Sequence, residues 1–167
     1  MPVKNPKEAF LYLLSHVRQA QERTTTILDE VSKAATQHPE IKEALEARHF
    51  VSAKIVSTLD EAFKMLGEKP VPISGRLQEV FLEDFRKELA EIQSPEAKRL
   101  FILAKLIHLF HMRVGEYVAL IAAADMTGNY GVGVLLESCL ADKLAFAERT
   151  RRLLRKIAEA RFAERAA

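Results

Sequence analysis

The sequence predicts an all-α fold: a four-helix bundle made of two antiparallel hairpins, joined by a long crossover that carries a short fifth helix. Three observations predict it. Apolar residues recur at alternating spacings of three and four along five segments, the signature of helices that each bury one face. Only six glycines and six prolines punctuate 167 residues, so the helices can be long. Two connections are tight turns and one is not, which sets the order in which helices become neighbours. The length suits one domain, 1–167, able to bury a core of its own.

Pro6 opens the first helix at a position where a missing N–H costs nothing. Phe10, Leu13, Val17, Ala20, Thr24, Ile27, Val31 and Ala34 form its apolar face, and His38-Pro39 marks a tight turn. The second helix carries Ile41, Leu45, Ser52, Ile55, Leu59, Ala62 and Leu66, and Gly67 stops it. Lys69 to Pro72 reads as an extended linker. A shorter helix, roughly Arg76 to Ile92, places Leu77, Val80, Phe81, Phe85 and Leu89 on one side. Ser94-Pro95-Glu96 then reads as N-cap, first-turn proline and an acidic residue at the positive helix end.

The long helix that follows, to Met126, is expected at the centre of the bundle. Leu100, Leu103, Ile107, Phe110, Val114, Tyr117, Ile121 and Ala124 make a continuous packing seam. Thr127-Gly128-Asn129 is a short turn. The last helix, from about Tyr130 to past Ala160, carries Leu135, Cys139, Leu140, Phe146, Leu153, Leu154 and Ile157. The stretch from Gly67 to Ser94 is too long for a turn. Its helix, about 25 Å long at 1.5 Å per residue, can return the chain along a bundle. Hairpin, crossover, hairpin is the connectivity of ferritin-like bundles.

Composition narrows function mainly by exclusion. A formal charge of +2 is too small to imply a nucleic-acid partner. The richest apolar run, Leu100 to Met126, is broken by Lys105, Arg113 and Glu116, so no membrane span is expected. Met1 to Glu8 is polar and carries no apolar signal core, and a cytoplasmic protein is expected. The single Cys139 lies on an apolar face and reads as a small buried hydrophobe.

The chain resembles the YciE/YciF-type ferritin-like family, bacterial proteins associated with stress. The resembling segments are Ala9 to Ser15, Ala34 to Leu45, Leu59 to Pro70, and Leu135-Leu136-Glu137. The resemblance implies a di-metal carboxylate centre of Glu and His ligands at mid-bundle. Position by position, the first-helix ligand falls on Gln21 and those of the second helix on Phe50 and Ala53. The ligands of the third bundle helix fall on Phe110 and Arg113, and the last acidic cluster falls around Asp142. Only Asp142 keeps a carboxylate. The resemblance therefore carries over a fold and not a metal site.

Residue types near the helix midpoints agree. Glu22, His111, Arg113 and Asp142 lie there, a set too basic for two hard cations. In an antiparallel hairpin turning at Gly128, Arg113 and Asp142 fall level, and a hydrogen-bonded pair is expected to fill the old site. An atypical iron or manganese site would use His108, His111, Glu116 and Glu22. His49 beside Arg48 assembles no nucleophile–His–acid set. Arg149, Arg151, Arg152, Arg155 and Lys156 read as the solvated face of an amphipathic helix.

The expectation is a non-enzymatic ferritin-like bundle without cofactor, with a structural or protein-interaction role in stress response. A homodimer is expected because Phe81 and Phe85 exceed what one bundle covers. The alternatives are a metal-dependent oxidase or oxygen-protective protein, and a small-ligand carrier.

Overall fold

A computed structural model describes residues 3–166, the side chains at 47, 49 and 161–166 lying outside the described set. Five helices follow in order: α1 (Pro6–Ala34), α2 (Pro39–Leu66), α3 (Arg76–Glu91), α4 (Pro95–Met126) and α5 (Tyr130–Ala166). Their ends fall on the punctuation in the sequence. Pro6, Pro39 and Pro95 sit in first turns, and the Ser94 hydroxyl accepts the Ala97 N–H at 3.3 Å. Asn5 adds a cap beyond Pro6. Its side chain accepts the Glu8 N–H at 2.9 Å and donates to the Glu8 carboxylate at 2.9 Å. Gly67 closes α2 at φ +66°, which lets the Glu68 N–H reach back to the Phe63 carbonyl at 3.1 Å.

α1 pairs with α2 and α4 with α5; α2 packs on α5 and α1 on α4, which closes a four-helix ring. α3 lies outside the ring, against α1 and α4. Ion pairs Arg23–Glu79 and Arg86–Glu30 advance together along α1 and α3, so these two run parallel. Phe85 stacks on Phe101 with centroids 5.8 Å apart, and Phe81 meets His108 edge-on at 6.4 Å. α3 therefore runs against α4 and carries the chain back along the bundle. The linker before it is tied to α1. The Ser15 hydroxyl accepts the Val71 N–H at 3.0 Å, and Gln19 donates to the Ile73 carbonyl at 2.8 Å.

Two details of the expected packing change. Phe85 is buried and Phe81 half-buried within the chain itself, because α3 folds onto α1 and α4. On the same helix Leu77 and Val80 stay exposed. On α4, Leu103, Phe110, Tyr117 and Ala124 are buried as expected, while Leu100 is 58 % exposed at the rim of a surface groove it shares with Leu154 and Ile157. Ile102, Leu106, Leu109, Leu120 and Arg113 are buried too. α4 touches α1, α3 and α5, so its buried arc is wider than a two-helix seam. α4 alone among the described helices has the length and mean hydropathy of a membrane span. A third of that apolar window is buried in this structure.

The core has two parts. One apolar cluster holds Phe10, Leu14, Val17, Ile55, Leu59, Tyr117, Leu120, Leu136 and Cys139. The other holds Ile27, Val31, Ile41, Leu45, Phe85, Leu106, Phe110 and Ala147. Every bundle helix passes from one cluster to the other near its midpoint.

Candidate functional site

Between the two clusters each bundle helix turns polar side chains inward. α1 contributes Gln21 and Thr24, α2 Arg48 and Ser52, α4 Arg113, and α5 Lys143. Arg113 and Lys143 are 1 % exposed and Arg48 2 %. Thr24 is satisfied within its helix by the Ala20 carbonyl at 2.7 Å. Lys143 and Gln21 meet across the bundle, and Arg113 is held within α4.

Arg113 Nη1 donates to Glu116 Oε2 at 2.6 Å, one turn along α4. The Arg48 guanidinium lies 3.5 Å above the Phe110 ring centroid and 4.4 Å from that of Phe146. Lys143 Nζ donates to Gln21 Oε1 and stands 5.8 Å over the Tyr117 ring. Among the described residues, Arg48 Nη1 and Nη2, Arg113 Nε and Nη2, Gln21 Nε2 and the Tyr117 hydroxyl are buried without a hydrogen-bond partner. All six can donate, and only the hydroxyl can also accept.

Burial and mutual repulsion tune these groups. Burial pushes the Lys143 ammonium down to about 7, and the Arg48 and Arg113 charges push the same way. Burial and the Arg113 charge lower the Arg48 guanidinium to about 9. Tyr117 is pushed well above its ordinary range, first by burial, and the Cys139 thiol rises to about 11, again first by burial. Two guanidinium groups and an amine that loses its charge near neutral pH thus face one carboxylate among the described residues, Glu116. An uncompensated buried charge costs several kcal/mol, which the stacking on Phe110 offsets only in part.

That donor set does not fit a pair of divalent metal ions. Hard cations need several converging carboxylates, and here one carboxylate is already engaged by an arginine. Among the described residues no three His, Cys, Asp or Glu side chains come together as a metal-holding group. The atypical set is scattered: His108 and His111 are exposed on α4, His108 packing on Phe81. Glu22 is exposed and paired with Arg18 at 2.8 Å, and Glu116 is held by Arg113.

Of the positions onto which the family resemblance puts ligands, Gln21, Phe110 and Arg113 are buried at mid-bundle. Phe50 and Ala53 are not: Phe50 is 86 % exposed and Ala53 is exposed beside it. Asp142 does not pair with Arg113; it lies half-buried near Lys54 at 3.5 Å. Both corrections are errors of helical phase, since one residue is about 100° of rotation. Ser52 rather than Ala53, and Lys143 rather than Asp142, point inward. Arg48 and Lys143 were legible. On α2 the series Ile41, Leu45, Ser52, Ile55, Leu59 lacks one step in its three–four spacing, and position 48 fills it. On α5, Leu136, Cys139, Lys143 and Ala147 follow one another on the buried face. Charge hid both residues from a search for apolar stripes. The His49 side chain lies outside the described residues. The arginine-rich face of α5 is solvated, with Arg151 and Arg152 both on Glu148, at 2.7 and 2.8 Å.

A family model described as "Domain of unknown function (DUF892)" matches residues 5–166. Three solved structures share the fold. YcfI from Rhodopseudomonas palustris is 21 % identical with a TM-score of 0.83, over 89 % of this chain and 94 % of that one. The E. coli stress protein YciF is 19 % identical with a TM-score of 0.82, over 90 % and 94 %. A Xanthomonas campestris pv. campestris protein is 16 % identical with a TM-score of 0.72, over 98 % and 100 %. No match is found among curated proteins.

Proposed function

The chain belongs to the DUF892 family, and from that premise we propose that this ferritin-like bundle works without a di-metal centre, as a non-catalytic cytoplasmic protein with a structural or interaction role. The observation that carries the reading is the inward set Arg48, Arg113 and Lys143, facing the single carboxylate Glu116. Two divalent ions there would meet two guanidinium charges and a basic amine, and among the described residues no inward carboxylate would be free to neutralise them. The chain's only thiol supports the same reading: Cys139 is buried, and its raised pKa leaves it a weak nucleophile at neutral pH. The likeness to the E. coli stress protein suggests stress response as the setting.

Elemental analysis of protein purified without chelator or nickel resin tests the reading. Iron, manganese and zinc should each stay far below one ion per chain. One or two ions per chain, retained through dialysis and lost on E116Q, would defeat it.

A further inference from the structure

We infer that the mid-bundle layer is a binding site for a small oxyanion, held between the guanidinium groups of Arg48 and Arg113 with Lys143 beside them. The inference rests on the reading of this layer as metal-free. Six buried polar atoms of this layer find no partner among the described residues. Arg113 spends Nη1 on Glu116, which leaves Nε and Nη2, the side-on fork that meets two oxygens of one anion. Arg48 leaves Nη1 and Nη2, an end-on fork, while its flat faces are taken by Phe110 and Phe146. Gln21 Nε2 and the Tyr117 hydroxyl add two neutral donors.

Water fits this set poorly. Of the six atoms only the Tyr117 hydroxyl can accept, so a bound water would have to turn its own hydrogens away from this set, toward Glu116 or a backbone carbonyl. An oxyanion accepts only, through three or four oxygens, and brings the missing negative charge. The groups share one electrostatic environment: the Arg113 charge acts on Arg48 and Lys143, and the Arg48 charge acts on Lys143. A surface depression between α2 and α5, lined by Val51, Asp142, Ala145, Phe146, Glu148, Arg149 and Arg152, reaches the Phe146 ring on which Arg48 stacks.

Phosphate, sulfate and a carboxylate share the required chemistry, and binding experiments separate them. The intact chain, dialysed free of anions, is titrated calorimetrically and by thermal unfolding with sodium phosphate, sodium sulfate and sodium acetate. Sodium chloride at matched ionic strength is the reference. At least one oxyanion should bind with saturation, one ion per chain, and raise Tm beyond chloride. R48M and R113M should weaken that binding roughly tenfold or more. R48K and R113K keep the buried charge but lose the fork, so they should weaken it too, and they serve where the methionine variants do not fold. No saturable response to any of the three would overturn the inference. So would binding unchanged in the variants, which would place the anion on the surface arginines of α5. Metal analysis of the same sample distinguishes the failures. Stoichiometric metal defeats the metal-free reading and the site together; metal-free protein without anion binding defeats the site alone.

Discussion

Lys143 should make this protein more stable in mild alkali than at neutral pH, against the usual trend for a chain with no unusual basic surface. The ammonium is lowered from 10.5 to about 7, first by burial and then by Arg48 and Arg113. The groups facing it are Gln21 on α1, Arg48 on α2, Arg113, Glu116 and Tyr117 on α4, and Cys139 on α5. Between pH 7 and pH 9 the unfolded chain keeps a proton here that the folded chain has released. Stability therefore rises with pH across that window. With these two pKa values, linkage gives a gain of about 2 kcal/mol from pH 7 to pH 9. For a chain of this size that is about 4–8 °C in Tm. Above pH 9 two further groups enter with opposite signs, the raised Cys139 thiol lowering stability as pH rises and the lowered Arg48 guanidinium raising it, so the test stays between pH 7 and pH 9. Urea unfolding followed by circular dichroism at pH 7, 8 and 9, on the native chain and on K143M, measures the gain. The native chain should show the rise and K143M should lose most of it. An identical slope in both would mean that Lys143 stays protonated when buried, and the electrostatic account of the layer would fail.

Removing Glu116 should strand Arg113: E116Q should cost about 3–5 kcal/mol in urea unfolding, and R113M with E116Q far less. D142N should stay within about 0.5 kcal/mol, because its partner Lys54 is exposed and the contact is long at 3.5 Å. Cys139 should react with iodoacetamide at neutral pH far more slowly in folded protein than in urea, read by mass spectrometry; equal rates would contradict its burial and raised pKa. A homodimer remains the expected assembly, now through the exposed Met65, Met126, Tyr130 and Val134 where α2 ends and α4 turns into α5. Light scattering at tens of micromolar should give twice 18.8 kDa, and a mass of one chain would refute it.

The helices, their ends and their order were determined locally, and so were legible. A proline at a first turn, a glycine at positive φ or a three–four apolar period depends on nearest neighbours along the chain. Connection lengths then allowed only one bundle connectivity, and Gln21, Phe110 and Arg113 could be placed at its centre. Helical phase at the centre was decided elsewhere. Whether Ser52 or Ala53, Lys143 or Asp142 points inward turns on a rotation of one residue, fixed by how α2 and α5 seat against each other and against the clusters above and below. Partner choice was also tertiary: Arg113 takes Glu116 on its own helix, where the shorter reach carries the smaller entropic cost, and leaves Asp142 to Lys54. The convergence of three basic side chains from three helices is a property of the packed bundle alone. No single segment carries an unusual charge; the low dielectric and the meeting point of the helices make the centre cationic.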